Sequence, residues 1–302
     1  MTELLFIHWH VNPVLLHLGP LEIRWYSLLF ISGFILGWYM FRWFFRREGI
    51  PEQLLDPLLY TLLIATIVGA RLGHCLFYQP DYYLAPFIAA FGGRPDPAIA
   101  AAGMTNAQAF WEIFMPWKGG LASHGGAIAL LLAMAWFARK YGRRNGFDYL
   151  WIMDHLVIAV AFAGAFIRLG NLFNSEIYGD VTTLPWGFIF DLRGETEPKH
   201  PTQLYEALSY LILGLGLAAL YKYRLDRTWR GTFFGLFLIG CFGMRFLIEF
   251  IKEPQVGFEA GMTLNMGQLL SIPFVLAGVC LLVHAARSRR PAAAQVSPVK
   301  KK

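Results

Sequence analysis

Residues 149–170 read YLWIMDHLVIAVAFAGAFIRLG, and this stretch decides the class of fold. Its length matches the roughly 20 apolar residues that carry a helix across about 30 Å of hydrocarbon. Arg168 sits near its end. A charged side chain at the bilayer centre costs roughly 2.5–3.5 kcal/mol on insertion scales, so such a residue faces a partner or a polar cavity. Arg71 and Arg245 interrupt two further apolar runs in the same way. Three arginines at similar depth point to a site built for an anion.

Composition agrees with the opening stretch. The chain has 302 residues, 56% hydrophobic and 15% charged, with a mean hydropathy of +0.46. That is far more apolar than a soluble domain and indicates an all-α polytopic membrane protein. Seven spans fit, roughly 21–45, 57–78, 120–138, 149–170, 203–221, 231–251 and 267–285. The connecting segments sort by charge. One side carries Arg46, Arg47, Arg139, Lys140, Arg143, Arg144, Lys222, Arg224, Arg227 and Arg230, then a basic tail, so that 16 of the 26 lysines and arginines fall there. The other side holds only Arg94, Lys118, Arg193 and Lys199. The positive-inside rule places the N-terminus outside and the C-terminus in the cytoplasm, which an odd number of spans allows. The net charge of +6 follows this topology, and no nucleic-acid partner is expected. Residues 1–286 read as one integral membrane domain and 287–302 as a disordered cytoplasmic tail.

Cys75, Cys241 and Cys280 form no close-spaced pair, so neither a disulfide framework nor a zinc site is indicated. The opening MTELLFIHWH has an acidic Glu3 and no basic region, so it does not read as a cleaved signal peptide. Two outer segments are long. Residues 79–118 are rich in aromatic and small residues and read as interfacial or re-entrant structure. Residues 171–202 hold Gly, Pro and charges and read as a small extramembrane lobe, a short hairpin. No internal repeat is visible, which counts against an inverted-repeat transporter. Helix direction then fixes depth: Tyr26, Arg71, His124, Arg168 and Arg245 all fall in the outer leaflet. They outline a polar chamber opening outward.

The local patterns each have a structural reading beside the functional one. GGLASHGG (Gly119–Gly126) sets His124 among small residues that allow another helix or a lipid to approach closely. His124 is a candidate base, or a histidine bonded between helices. RLGNLFNSE (Arg168–Glu176) places Arg168, Asn171 and Ser175 on one helical face, suited to a phosphate or carboxylate. Its alternative is an arginine snorkelling to headgroups. RFLIEFIKE (Arg245–Glu253) stacks Arg245, Glu249 and Lys252, with Arg245 held by Glu249 while still offering donors. HPTQLYE (His200–Glu206) starts the fifth span with Pro201 in the first turn; His200, Gln203 and Glu206 line the chamber or cap the helix. Asp154 and His155 lie nearer the cytoplasm and read as an interhelical contact.

The chain has no G-x-S-x-G, H-E-x-x-H, P-loop or Cys/His cluster, so neither metal nor cofactor is expected. Arginines, one histidine and amides suggest direct displacement on a lipid, with electrostatic stabilisation of a departing phosphate. The residues alone leave open a transporter or channel for an anionic solute, and a non-catalytic lipid-binding assembly protein.

Taken together, Tyr26, GGLASHGG, RLGNLFNSEIYG, HPTQLYE, RFLIEF and NMGQ (Asn265–Gln268) stand in the order and spacing of the bacterial prolipoprotein diacylglyceryl transferases, which the chain resembles from about 20 to 285. The sequence departs from that family's pattern at Ile167, Leu172 and Cys241. The resemblance implies a seven-helix enzyme of the bacterial inner membrane. It implies transfer of the diacylglyceryl group of phosphatidylglycerol to the lipobox cysteine of a preprolipoprotein, giving a thioether and glycerol 1-phosphate. By the same resemblance Arg168 and Arg245 contact phosphate and His124 is the candidate base. Tyr26, Arg71, Asn171, Gly179, His200 and Glu249 complete the substrate-binding set. The nucleophile comes from the substrate, so no cysteine of the chain need be catalytic.

Overall fold

The computed structural model describes residues 6–19, 21–254 and 262–294. In chain order its α-helices among those residues are α1 (Trp25–Glu48), α2 (Leu55–Phe77), α3 (Pro80–Tyr83), α4 (Ala85–Ala90), α5 (Pro97–Ala101) and α6 (Asn106–Trp111). They continue with α7 (Ser123–Phe137), α8 (Arg143–Asn145), α9 (Tyr149–Phe173), α10 (Thr202–Arg224), α11 (Thr232–Ile248) and α12 (Met266–Ser288). Four short strands accompany them: β1 (Ile7–His8), β2 (Val14–Leu18), β3 (Leu21–Arg24) and β4 (Phe188–Ile189).

Among the described residues six helical stretches are long and apolar enough to cross a membrane: Trp25–Glu48, Glu52–Phe77, Tyr149–Phe173, Thr202–Arg227, Thr232–Ile251 and Met266–Ser288. The expected span at 120–138 differs from them. There α7 has 15 residues, about 22 Å at 1.5 Å per residue, and falls short of the hydrocarbon thickness. The helical path continues through a π turn at Ala138–Gly142 into α8, where the sequence has turned basic.

Sequence signals mark the helix ends. α1 stops at Gly49, whose φ of 71° is left-handed and whose N–H returns to the Phe45 carbonyl, with Arg46 and Arg47 in the last turn. NMGQ is a capping box: the Asn265 side chain accepts from the Gln268 N–H, and the Gln268 side chain accepts from the Asn265 N–H. Pro201 stands one place before α10 as its N-cap, not inside the first turn.

The chain divides into two compact units. One runs to Ile50 and resumes at Leu150; the other is Pro51–Tyr149. In the first, α9 is the central helix, with buried residues around its whole circumference from Trp151 to Ala161. At the end of α1 the Glu48 carboxylate accepts from His155 Nε2 at 2.6 Å, Trp151 Nε1 at 2.8 Å and the Tyr221 hydroxyl at 2.9 Å. Asp154 accepts from the Gly231 and Phe234 N–H groups at the start of α11. The Asp154–His155 pair is thus an interhelical fastening, as its position suggested. The beginning of the basic tail is also fastened: Arg230 N–H donates to the Arg290 carbonyl, and Ala292 N–H donates to the Thr228 carbonyl. Disorder is therefore not what the structure gives for 289–294, and the rest of the expected tail, 295–302, lies outside the described residues.

Residues 174–201 form a lobe, but not a free-standing hairpin. Its strand β4 pairs in parallel with β1, and Gly179 bridges to Lys252. Leu172, Phe188 and Phe190, joined by Trp9 and Tyr178, make its small core. Burial and a hydrogen bond to Glu195 push the Tyr178 hydroxyl up to about 12.

The second unit is a glycine-mediated helix pair carrying a small helical arm. An added Cβ at Gly73 of α2 would stand 2.6 Å from the Gly125 Cα of α7, and Gly69 abuts the same turn. GARLG and SHGG thus let the two backbones touch. The segment 79–118 is helical, with α3–α6 closing on Ala85, Ile99 and Ala109 beneath Tyr82 and Met104.

Candidate active site

The ends of α9, α10 and α11 in the first unit bring together a line of alternating charges. Arg168 Nη1 donates to Asn171 Oδ1 at 3.3 Å. On its other side Arg168 Nε lies 2.9 Å from Glu206 Oε2. Lys252 Nζ stands 3.4 Å from Glu206 and 3.6 Å from Glu249. Arg245 Nε closes the line, 4.0 Å from Glu249 Oε2. Helical spacing produces this order, since Arg245 and Glu249 are four residues apart and Lys252 follows three later. Glu206, Glu249 and Lys252 are buried, and a charge in such a place persists only with a partner of opposite sign.

Packing holds the line in place. An added Cβ at Gly267 would meet the Glu249 carboxyl at 2.5 Å, so the start of α12 presses on that group. Asn265 Nδ2 donates to the Glu249 carbonyl, and Gln268 Nε2 donates to the Phe246 carbonyl. Gly179, expected to bind substrate, lets the lobe approach closely. A side chain there would strike Thr202 and His200, and its bridge positions Lys252. Asn171 Nδ2 and Asn174 Nδ2 both donate to Glu176 Oε1, extending the polar surface from Arg168. Tyr26 packs on Gly170, within electrostatic reach of Arg168 and Glu176.

The network is incomplete in a telling way. Buried polar atoms without a hydrogen-bond partner among the described residues include Arg245 Nε, Gln203 Oε1 and Ser175 Oγ, while Glu206 Oε2 and Glu249 Oε2 are held by their ion pairs alone. Unsatisfied buried groups each cost about 1–3 kcal/mol, and three of them stand here beside the charged line. Cys241 is hydrogen-bonded by Tyr210 of α10, and Tyr210 lies within electrostatic reach of both arginines.

The other expected site residues are placed differently. The His200 ring bonds the Tyr205 hydroxyl at 3.2 Å and takes no part in the charged line. Arg71 belongs to the second unit, is 3% exposed and stacks over Tyr83. Its guanidinium donates to the carbonyls of Glu112, Ile113, Gly119 and Gly120 at 2.5–3.2 Å. Expected to contact substrate, Arg71 in the structure fastens the turn before α7. His124 lies in the first turn of α7, exposed, with no hydrogen bond among the described residues. Glu206 and Lys252 were not in the expected set. Their signals were HPTQLYE and the charged stripe ending RFLIEFIKE, but which carboxylate faces which cation depends on how α10 meets α11.

A family model for prolipoprotein diacylglyceryl transferase matches residues 13–284. Curated relatives named phosphatidylglycerol–prolipoprotein diacylglyceryl transferase agree. One from Tolumonas auensis is 42% identical over 283 residues, covering 94% of this chain and 99% of the relative. One from Bacteroides fragilis is 40% identical, covering 91% and 94%. One from Chloroherpeton thalassium is 38% identical, covering 93% and 95%.

Proposed function

The chain belongs to the prolipoprotein diacylglyceryl transferase family, and from that premise we propose that the line from Asn171 to Arg245 is where it holds the phosphate of phosphatidylglycerol. The enzyme transfers the diacylglyceryl group of that lipid to a prolipoprotein. Transport of an anionic solute, or lipid binding without catalysis, is not favoured. The observation that carries the site assignment is the buried line of alternating charges, at whose end Arg245 is a third exposed and keeps a buried Nε without a hydrogen-bond partner among the described residues.

The chemistry follows from charge. The acceptor is the thiol of a lipobox cysteine. Its sulfur attacks the glycerol carbon, an S–C bond forms, and the C–O bond to phosphate breaks. The bonding pair leaves with the phosphate oxygen, giving a thioether and glycerol 1-phosphate. Negative charge therefore grows on the phosphate as the bond opens. Arg168 and Arg245 favour that state over the starting diester, which is the requirement for acceleration. Glu206 and Glu249, with Lys252 between them, hold both guanidinium groups at fixed angles. Asn171 adds an amide, and Tyr26 a hydroxyl. His124 accepts the thiol proton, since a free thiol near pKa 8.5 is mostly protonated at neutral pH.

The membrane is the bacterial inner membrane, with the N-terminus outside, the C-terminus cytoplasmic and α7–α8 serving as a seventh crossing. A cysteine introduced at Glu195 should then react with an impermeant thiol reagent in spheroplasts, and one at Arg144 only after lysis; the reverse reactivity refutes the orientation. The reaction is tested with purified protein, phosphatidylglycerol radiolabelled in its diacylated glycerol and a lipobox peptide. Label moves to the peptide through a bond stable to mild base. Tight lipid binding with no labelled peptide overturns the catalytic reading.

A further inference from the structure

One turn behind the charged line, the three helices that carry it meet around the hydroxyl of Tyr210. Tyr210 stands four residues after Glu206 on α10, about 6 Å along the helix. Gly164 stands four before Arg168 on α9, and Cys241 four before Arg245 on α11. An added Cβ at Gly164 would lie 3.2 Å from the Tyr210 ring, so the missing side chain admits that ring against α9. The residue is buried, and a phenylalanine would fill the same space. The hydroxyl is what needs an account, because a buried phenol without a partner is unfavourable. Its hydrogen-bond partners are Arg168 and Cys241. A guanidinium can only donate, so Arg168 donates to the phenol oxygen, and the phenol proton is left for the Cys241 sulfur.

We propose that Tyr210 is a positioning residue for the transfer reaction, which fixes the plane of the Arg168 guanidinium so that its remaining N–H donors face the phosphate. The inference rests on the phosphate assignment above and adds what aims one of its two arginines. Arg168 is met from three directions. Glu206 Oε2 lies 2.9 Å from Nε, Asn171 Oδ1 accepts from Nη1 at 3.3 Å, and the Tyr210 oxygen accepts from the side of the bundle. Two partners leave a planar fork free to rock about the line joining them, and a third partner stops it. Being neutral, the phenol does this without cancelling the charge that draws the phosphate. With its oxygen used by Arg168 and its proton by Cys241, the hydroxyl has nothing left for the lipid, so it acts through the arginine. Small misplacements of such a group are costly, because the transition state rewards only the aligned geometry.

The test is Tyr210→Phe, which keeps the ring and removes the hydroxyl. Purified full-length proteins are assayed with phosphatidylglycerol and a lipobox peptide. The variant should lose roughly tenfold in kcat, the scale of one hydrogen bond to a charged group. Its KM for the lipid should stay unchanged, because the charge still reaches the ground state and only the alignment is lost. In an Arg168→Lys background the same change should cost almost nothing, since the fork it orients is gone. Single-turnover assays with excess enzyme extend the measurement to that slower background. The control is Tyr221→Phe, which removes a buried hydroxyl bonded to Glu48 at 2.9 Å near the other end of α10. It should lower the melting temperature and leave kcat unchanged. Normal kcat in Tyr210→Phe, equal losses in both backgrounds, or a matching kcat loss in Tyr221→Phe would each overturn the proposal. Normal kcat in Arg168→Lys alone refutes the phosphate assignment itself. A slow Arg168→Lys beside a normal Tyr210→Phe sinks only the role given to Tyr210.

Discussion

Arg71 and Arg245 look alike in the sequence, each a lone guanidinium in an apolar run, yet the fold uses them in opposite ways. Arg71 donates to four backbone carbonyls, stacks on Tyr83 and is almost wholly buried. Arg245 is a third exposed, stands 4.0 Å from Glu249 and keeps a buried Nε without a hydrogen-bond partner. A guanidinium carries five N–H donors. Where carbonyls use them, the arginine is a fastening for a turn. Where a carboxylate steadies the charge, donors are left over for the phosphate contact proposed above. Arg168 is of the second kind, since Glu206 and Asn171 engage it from one side each.

The largest expected effect tests whether chemistry is confined to the unit of Arg168 and Arg245. His124 belongs with Arg71 in the second unit, but it is exposed. If it takes the thiol proton, His124→Gln lowers turnover by about 10²–10⁴-fold near neutral pH. Raising the pH toward about 8.5 should recover part of that loss, because the substrate thiol then ionises unaided. A variant equally inactive at neutral and alkaline pH, yet still binding phosphatidylglycerol, would assign His124 to positioning.

Next in size are Arg168→Lys and Arg245→Lys. Both keep the charge and lose the planar fork. Each should cost about 10²–10³-fold in kcat, the usual effect of removing one donor from a transition-state oxyanion. Near-normal kcat in both would place them beside Arg71 as fastenings and end the distinction.

The sequence showed more of this contrast than of its cause. The apolar runs, the arginines within them and the capping residues of NMGQ are local patterns, and they gave the long helices and the Arg168–Asn171 and Arg245–Glu249 neighbours. At 120–138 apolar composition could not reveal that the α-helix ends at Phe137 and continues through a π turn. The pairing of β1 with β4 joins residues about 180 positions apart, beyond the reach of periodicity. Lys252 was seen on a stripe, but its place between Glu206 and Glu249 depends on Gly179 admitting the lobe. The fastening made by Arg71 was not legible because its partners are backbone carbonyls, which every sequence contains.

Arg71→Lys should reverse the pattern of the site arginines. A lysine cannot reach four carbonyls, and buried acceptors left unpaired cost about 1–3 kcal/mol each. The variant should lose about 2 kcal/mol or more of stability. Its kcat per folded molecule should stay within about threefold, far from the loss expected at a transition-state donor. Thermal unfolding beside a transfer assay separates the two quantities. Unchanged stability with lost turnover would move Arg71 back among the substrate contacts.

The smallest effect lies in the arm that Arg71 fastens. Glu112 accepts from Lys118 Nζ at 2.5 Å and from the Tyr82 hydroxyl at 3.1 Å, while its carbonyl accepts from Arg71. The Lys118 hydrogen bond, against the opposing effect of burial, holds the Glu112 carboxyl below its usual range. A carboxylate lowered in the folded state stabilises it above the unfolded pKa, about 4.3, and that contribution is lost as the pH falls through the lower folded value. Lys118 is half exposed, so the contribution is on the order of 0.5 kcal/mol. Lys118→Met should therefore melt slightly below the unaltered protein near pH 6, and the gap should close as the pH drops below about 4. A gap independent of pH would trace to the packing of the lysine stem and would leave Arg71 as the arm's main electrostatic fastening.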